Sequence, residues 1–481
     1  MTKRPITSSR RKWLSEELEA WQGAGVISAE QQQAIVDQYP SLDDAAEATS
    51  SKAVTALMGT AALMVAAGVL LLISFNWEAM PDIIKLVLVF GTIITTYVAA
   101  FTVRYQRGAI GLSNVLFCLG AIFYGCGIWL VAQVFHLNGH YPDGMWWWAV
   151  GTLPIAVCLD SLLAHALLVV LLSIWCGMEL IGFSDLGMSF LFRMRWFPNG
   201  AYTLPLLSAP GVLWAYRSKS AKPLWLYVPL LTWWFCLQSI AWEQTWHWHQ
   251  NPIFFMGAVG SFLLIVAETH AVGSRLAIPY RTYGVLIAGA MLIPLSFVET
   301  HKYSWWSSDE RSIGALMQAA AIVGIAIIGL AVVVRSHGRW NSGKDLLNGM
   351  KETARRQWMP VALMALMAFL SVWHAIAKEP YVPTLFANAA MLAFGIWLML
   401  LGLREDRGRP FSIGVIYFLL WTTLRYFDLF GAMGGMLGGA LVFFICGAFL
   451  FGMALFWKKR KVSHAVTAAH QGDVVALSED E

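Results

Sequence analysis

The chain has 481 residues, of which 58% are hydrophobic and only 13% charged, and its mean hydropathy is +0.59. An ordinary soluble domain carries about 25% charged residues, so water is not the solvent for most of this chain. The formal net charge of +4 is small, and what matters is where the basic residues lie.

The six cysteines (Cys118, Cys126, Cys158, Cys176, Cys236, Cys446) all sit in or beside apolar runs. None has the short spacing of a metal knuckle or redox pair, and they read as small packing residues. Residues 1–52 are hydrophilic, so a secretory signal is not expected ahead of the first apolar run. Trp13, Leu14, Leu18 and Trp21 recur at helical spacing, which predicts a first short helix. Gly23 and Gly25 end it. Ser28 followed by Gln31 has the form of a capping box, and Pro40 closes a second helix. Residues 10–40 thus form a helical hairpin too small to bury much by itself. It is expected to dock on the membrane domain, on a second copy or on a protein partner.

From residue 53 onward apolar segments alternate with short polar loops. A bilayer core about 30 Å thick takes roughly 20 residues of helix. The segments are 54–76, 83–103, 112–135, 145–159, 162–183, 201–216, 224–241, 252–270, 282–299, 313–334, 358–377, 383–403, 411–425 and 434–457. The expected fold is all-α: a polytopic helical membrane protein of about fourteen transmembrane helices. The expected domains are the hairpin and linker (1–52), the membrane domain (53–457) and a polar tail (458–481). The segments starting at 145, 201 and 411 are short for a full crossing and read as re-entrant or partly buried, the last as a discontinuous span.

With the N-terminus inside, 26 of the 33 Lys and Arg residues fall on the inner side. The outer side keeps Lys85, Arg193, Arg195, Lys302, Arg311, Lys378 and Arg425. Such a bias is the positive-inside rule, and places both termini in the cytoplasm. The outer loops are instead rich in tryptophan, including Trp146–Trp148 and Trp305–Trp306, as the headgroup layer favours.

Several stretches together resemble a bacterial family of predicted membrane proteins, domain of unknown function 2157. They are Trp21-Gln22-Gly23-Ala24-Gly25-Val26-Ile27-Ser28-Ala29-Glu30-Gln31, Phe75-Asn76-Trp77-Glu78 and Ala132-Gln133-Val134-Phe135-His136-Leu137. Arg425-Tyr426-Phe427-Asp428-Leu429-Phe430 resembles the close of related multi-spanning proteins. The resemblance covers residues 10–150 best. It implies a multi-pass bacterial inner-membrane protein and supplies no catalytic residues.

The polar residues near the spans give the candidate site. Asn76, Asp82 and Lys85 fill the first outer turn, and Asp82 and Lys85 can pair at i, i+3; they are either a cap with snorkelling charges or one wall of an outward site. Gln133 and His136 follow the third span. Arg425 and Asp428, again i, i+3, precede the glycine-rich run 431–439 and are the main ligand candidates, because ionisable residues within a membrane are functional by default. Their alternative is a pair locking a turn. His140, Glu243, His247, His249, Glu299, His301 and His374 are a dispersed imidazole and carboxylate set, read as interfacial residues, with metal binding or pH sensing as alternatives. Gln238, Gln318 and Asn388 read as hydrogen-bonders between helices. Asp160, Glu179 and Glu268 are expected near span ends, Asp160 in a tight inner turn.

No catalytic residue, cofactor or metal site is assigned. The chain has no G-x-x-x-x-G-K-[ST], H-E-x-x-H or G-x-S-x-G. The basic stretches Arg335–Arg356 and Lys458–Lys461 read as inner-face anchors touching anionic lipid, not as a nucleic-acid surface. Membrane lipids and a protein partner or second copy at residues 10–40 are the expected partners. Two functions remain open: a carrier or flippase-like transporter of a small polar or lipid-linked molecule, and a non-enzymatic sensor or assembly scaffold acting through the hairpin.

Overall fold

A computed structural model describes residues 8–38, 81–137, 140–182, 200–246, 250–271, 273–302, 311–338, 342–377, 379–404 and 408–432, with isolated positions between 57 and 71 and between 444 and 452. It is 88% helical with no strand among the described residues. The chain divides into two compact units, Met1–Trp175 and Cys176–Glu481, and the boundary falls inside a helix.

The first unit begins with the expected hairpin, α1 (Ser8–Gly23) and α2 (Ala29–Val36). Ser28 Oγ accepts from the Gln31 backbone N–H at 3.2 Å and Gln31 Oε1 accepts from Ser28 N–H at 2.9 Å. That reciprocal pair fixes where α2 starts, and Gly25 turns the chain with φ +74°. Leu18 is buried, while Trp13, Trp21 and Val26 remain exposed.

Then come α3 (Asp82–Tyr105), α4 (Ile110–Val134) and α5 (Tyr141–Leu159), followed by α6 (Leu162–Gly177), which crosses the unit boundary. The short link 106–109 makes α3 and α4 antiparallel. Ser113 Oγ bonds the Ala100 carbonyl at 3.1 Å, and a Cβ on Gly127 would meet Val89 and Ile93. Against α4, the Trp148 indole N–H reaches the Ala121 carbonyl at 2.8 Å. Its ring covers Gly125 so closely that no side chain fits there. Asp160 turns α5 into α6 in the left-handed conformation, φ +48°, as the tight turn there requires.

The second unit contains α7 (Thr203–Arg217), α8 (Ala221–Trp246), α9 (Pro252–Val266), α10 (Ala277–Leu295), α11 (Val298–Lys302) and α12 (Arg311–Ser336). It continues with α13 (Gly343–Arg356), α14 (Trp358–Ile376), α15 (Tyr381–Arg404) and α16 (Gly408–Ala432). Phe254, Phe255, Leu292, Ile322, Met364, Met367 and Phe394 form its core. Lipid is as apolar as leucine, so exclusion from water does not drive this packing; close contact does. Gly260 of α9 shows how close: a Cβ there would run into the Ala288 backbone of α10.

Among the described residues nine helices are long and apolar enough to cross a membrane. The expected class is confirmed by them, whereas the count of fourteen goes beyond them. Segments 54–76 and 434–457 lie largely outside the described residues. Helices form at 145–159 and 201–216, as α5 and α7, but neither is among the nine.

Two expectations need correcting. The segment 411–425 is not short or broken: α16 runs 25 residues through Arg425 and on to Ala432. And the span expected over 282–299 stops at Leu295, one residue beyond Pro294, so Glu299 and His301 belong to a separate short helix.

Candidate functional site

In the first unit, Lys85 Nζ lies 3.1 Å from Asp82 Oδ1, the pairing their spacing allows. Lys85 lies largely buried on α3, and Asp82 stays exposed at the helix N-terminus, where the dipole favours a carboxylate. At the same end of the α3–α4 hairpin, Gln133 and His136 are exposed. His136 takes φ +50°. Its N–H bonds the Gln133 carbonyl at 3.3 Å, and the Leu137 N–H bonds the Ala132 carbonyl at 2.8 Å. This is a Schellman C-cap, usually built on glycine, and it gives the Gln-Val-Phe-His-Leu stretch a structural reason. Asn76 and the Asp428 side chain lie outside the described residues.

The main polar cluster of the second unit grows from the end of α10. A helix terminus leaves four carbonyls without partners inside the helix, and here they are met by the backbone N–H groups of Ser296 and Phe297 and by side chains. Ser296 Oγ donates to the Ile293 carbonyl at 2.7 Å, and Thr300 Oγ1 to that of Pro294 at 2.7 Å. His301 Nε2 donates to the Leu295 carbonyl at 2.8 Å, and Asn388 Nδ2 of α15 to the Ser296 carbonyl at 2.9 Å. The remaining Asn388 groups are used as well: Nδ2 also donates to Thr384 at 2.8 Å, and Oδ1 accepts the Trp421 indole N–H at 3.0 Å.

Arg425 enters this cluster from α16. Its Nη2 donates to Ser296 Oγ at 3.2 Å, and its guanidinium carbon stands 4.4 Å from the centre of the Phe297 ring, a cation–π contact. The side chain is only 7% exposed, well inside a 25-residue helix. A cation so placed is expensive in a membrane and is retained where a charge has work to do.

On the other side of α11, His301 Nδ1 lies 2.9 Å from His374 Nε2 of α14. The carbonyl at Leu295 requires the His301 proton on Nε2, so His301 Nδ1 accepts and His374 Nε2–H donates. A second proton between the rings would break the contact. Burial lowers the His301 pKa below the usual 6.5, partly offset by the Leu295 carbonyl, which favours the neutral form. One turn before His374, Ser371 Oγ bonds Gln318 Oε1 at 2.7 Å, and Gln318 Nε2 reaches the Asn251 carbonyl at 2.8 Å.

Gln238 likewise bonds the Gly200 carbonyl at 3.1 Å. Glu268 pairs with Arg281 at 3.0 Å. Glu179 departs from expectation: it is 1% exposed, in a π-helical turn (Met178–Gly182) that prolongs α6. Burial there is a real cost for a carboxylate. His247 and His249 lie outside the described residues. Among the described residues no three His, Cys, Asp or Glu gather to hold a metal.

Of the candidates named from sequence, then, Asp82 pairs with Lys85, and Gln133 with His136 forms a cap. Arg425 is joined to Ser296 and, through it, to Asn388. Sequence reading missed Ser296, Thr300 and Trp421 entirely; Pro294 followed by Ser296 was the one local signal of a capped helix end.

Residues 19–165 match the model of a family described as predicted membrane protein, domain of unknown function 2157. The resemblance read from the hairpin and third-span motifs is thereby shown, over a stretch that lies within the first unit. It stops far short of Arg425. No curated protein and no solved structure matches the chain.

Proposed function

We propose that this membrane protein is a carrier for a small polar or lipid-linked molecule, seated in a bacterial inner membrane with both termini in the cytoplasm. The observation that carries the reading is the burial of Arg425 on a long helix, hydrogen-bonded to Ser296. A guanidinium offers fixed donors that suit an anionic group. Asn388, Trp421 and the His301–His374 pair give its surroundings further polar contacts. The positive-inside bias of the loops supports the orientation. No catalytic step is assigned to the chain.

The test is native mass spectrometry of the detergent-purified chain beside Arg425→Ala/Asp428→Ala. A discrete adduct on the parent, lost from a variant that unfolds at the same temperature, is the expected result. No adduct on either form rules the carrier out.

A second reading has its own observation. Trp13, Trp21 and Val26 of the hairpin stay exposed, an apolar face that suits a protein partner or a second copy. Removal of residues 1–45 separates the two: a carrier keeps its ligand, and a scaffold loses its partner.

A further inference from the structure

The loop between α12 and α14 is not a loop. It holds the 14-residue helix α13, and because α12 ends and α14 begins at one membrane face, α13 lies at that face. Ser342 starts it, its Oγ accepting the Asp345 N–H at 3.3 Å. One side packs on the body: Met350 and Ala354 rest against the core of the second unit, and Gly349 sits so near Val334 that a Cβ would come within 2.8 Å. The helix is thus laid along the surface, not projecting from it.

The other side is unusual in its charges. Both carboxylates of α13 are engaged within it: Asp345 Oδ2 accepts from Ser342 Oγ at 3.0 Å, and Glu352 pairs with Arg356 at 3.4 Å. Lys344, Lys351 and Arg355 are exposed and make no ion pair among the described residues. Their spacing of seven and four residues puts them on one stripe. Leu347, 53% exposed, lies beside that stripe, and Trp358 at the junction with α14 is 50% exposed.

A helix with one face on the protein, a basic stripe, and an exposed leucine and tryptophan beside it has the make-up of an interfacial segment. The apolar pair enters the boundary of the acyl chains while the cations meet phosphate. We propose that α13 binds the headgroups of anionic phospholipid through Lys344, Lys351 and Arg355. This site does not depend on the carrier reading, and Arg425 plays no part in it.

Full-length chain in detergent is given phosphatidylglycerol and phosphatidylcholine in equal amounts, and bound lipid is counted by native mass spectrometry. The parent is expected to retain phosphatidylglycerol preferentially. That preference should fall about fivefold for each charge removed across Lys344→Gln, Lys351→Gln and Arg355→Gln, the factor that one basic residue beside an anionic surface contributes. Glu352→Gln/Arg356→Gln, which removes the paired charges on the same helix, should leave it unchanged. Raising salt from about 0.05 M to about 0.5 M should erode the parent's preference without any substitution. An unaltered preference in the triple variant overturns the proposal. So does a dimer of the parent that the triple variant loses while its bound lipid is unchanged, since the stripe would then face a second copy.

Discussion

The two units use the same apolar alphabet differently. In the first, α3 buries only 17% of its most apolar window, and Val87, Ile94 and Val98 are exposed. In the second, α9 buries 61% of its window and stands in a unit where Ser296, Asn388, His301, Gln318 and Arg425 are linked across helices. Exposed valine costs nothing against lipid, so the first unit relies mainly on shape, with aromatic rings over glycines, and on a few bonds between neighbouring helices such as Ser113 to Ala100 and Trp148 to Ala121. A polar side chain in hydrocarbon must find a partner, so the second unit is knitted by hydrogen bonds. The family match lies on the first kind of packing, and the candidate chemistry lies on the second. A role for Arg425 therefore rests on the geometry of the second unit and not on the match.

The sharpest way to break this contrast is at the glycines. Gly260→Leu drives a side chain into the Ala288 backbone and should cost about 3 kcal/mol or more, whereas Gly91→Leu in α3, with nothing within 4 Å of the added atom, should stay within about 0.5 kcal/mol. Unfolding of the detergent-solubilised variants measures both; equal losses would mean that the units are packed alike.

Next in size is Asn388→Leu, which strands the Ser296 carbonyl and the Trp421 indole. A cost of about 1–3 kcal/mol is expected by the same measurement, and a neutral result would remove the hydrogen-bond network as a source of stability.

The histidine pair sharpens the comparison through pH. The folded His301 pKa lies below its ordinary value, so its contribution is complete above pH 6.5 and is lost as pH falls from there through the lowered folded value. Stability of the parent should decline over that window, and His301→Gln should flatten the decline. A variant with the parent's slope would place the titrating group elsewhere.

The smallest effects belong to the first unit. Lys85→Met breaks an ion pair whose acid is two-thirds exposed, worth at most about 1 kcal/mol. His136→Gly relieves a left-handed residue and should stabilise by roughly 0.5–1 kcal/mol. A large loss in either would give those side chains a role beyond capping.

Much of this could be read along the chain because it is local. The hairpin with its Ser28–Gln31 box, the Asp82–Lys85 pair and the Asp160 turn depend on residues within four positions of each other. Hydropathy failed where it cannot tell lipid from protein: Glu179 reads as a span-end charge yet is enclosed. The segment 411–425, ahead of the glycine-rich run, reads as short and discontinuous, but α16 continues through it to Ala432, and Arg425 finds Ser296 and Phe297 on neighbouring elements. The contact of His301 with His374 spans 73 residues, and no spacing rule reaches that far.

Composition and period thus determined that this chain is helical and lives in a membrane, because a bilayer permits few ways to satisfy a backbone. Tertiary structure alone decided which polar groups far apart in the sequence meet. Only when α10, α14, α15 and α16 pack do the freed carbonyls after Pro294, the amide of Asn388 and the guanidinium of Arg425 come within hydrogen-bonding distance.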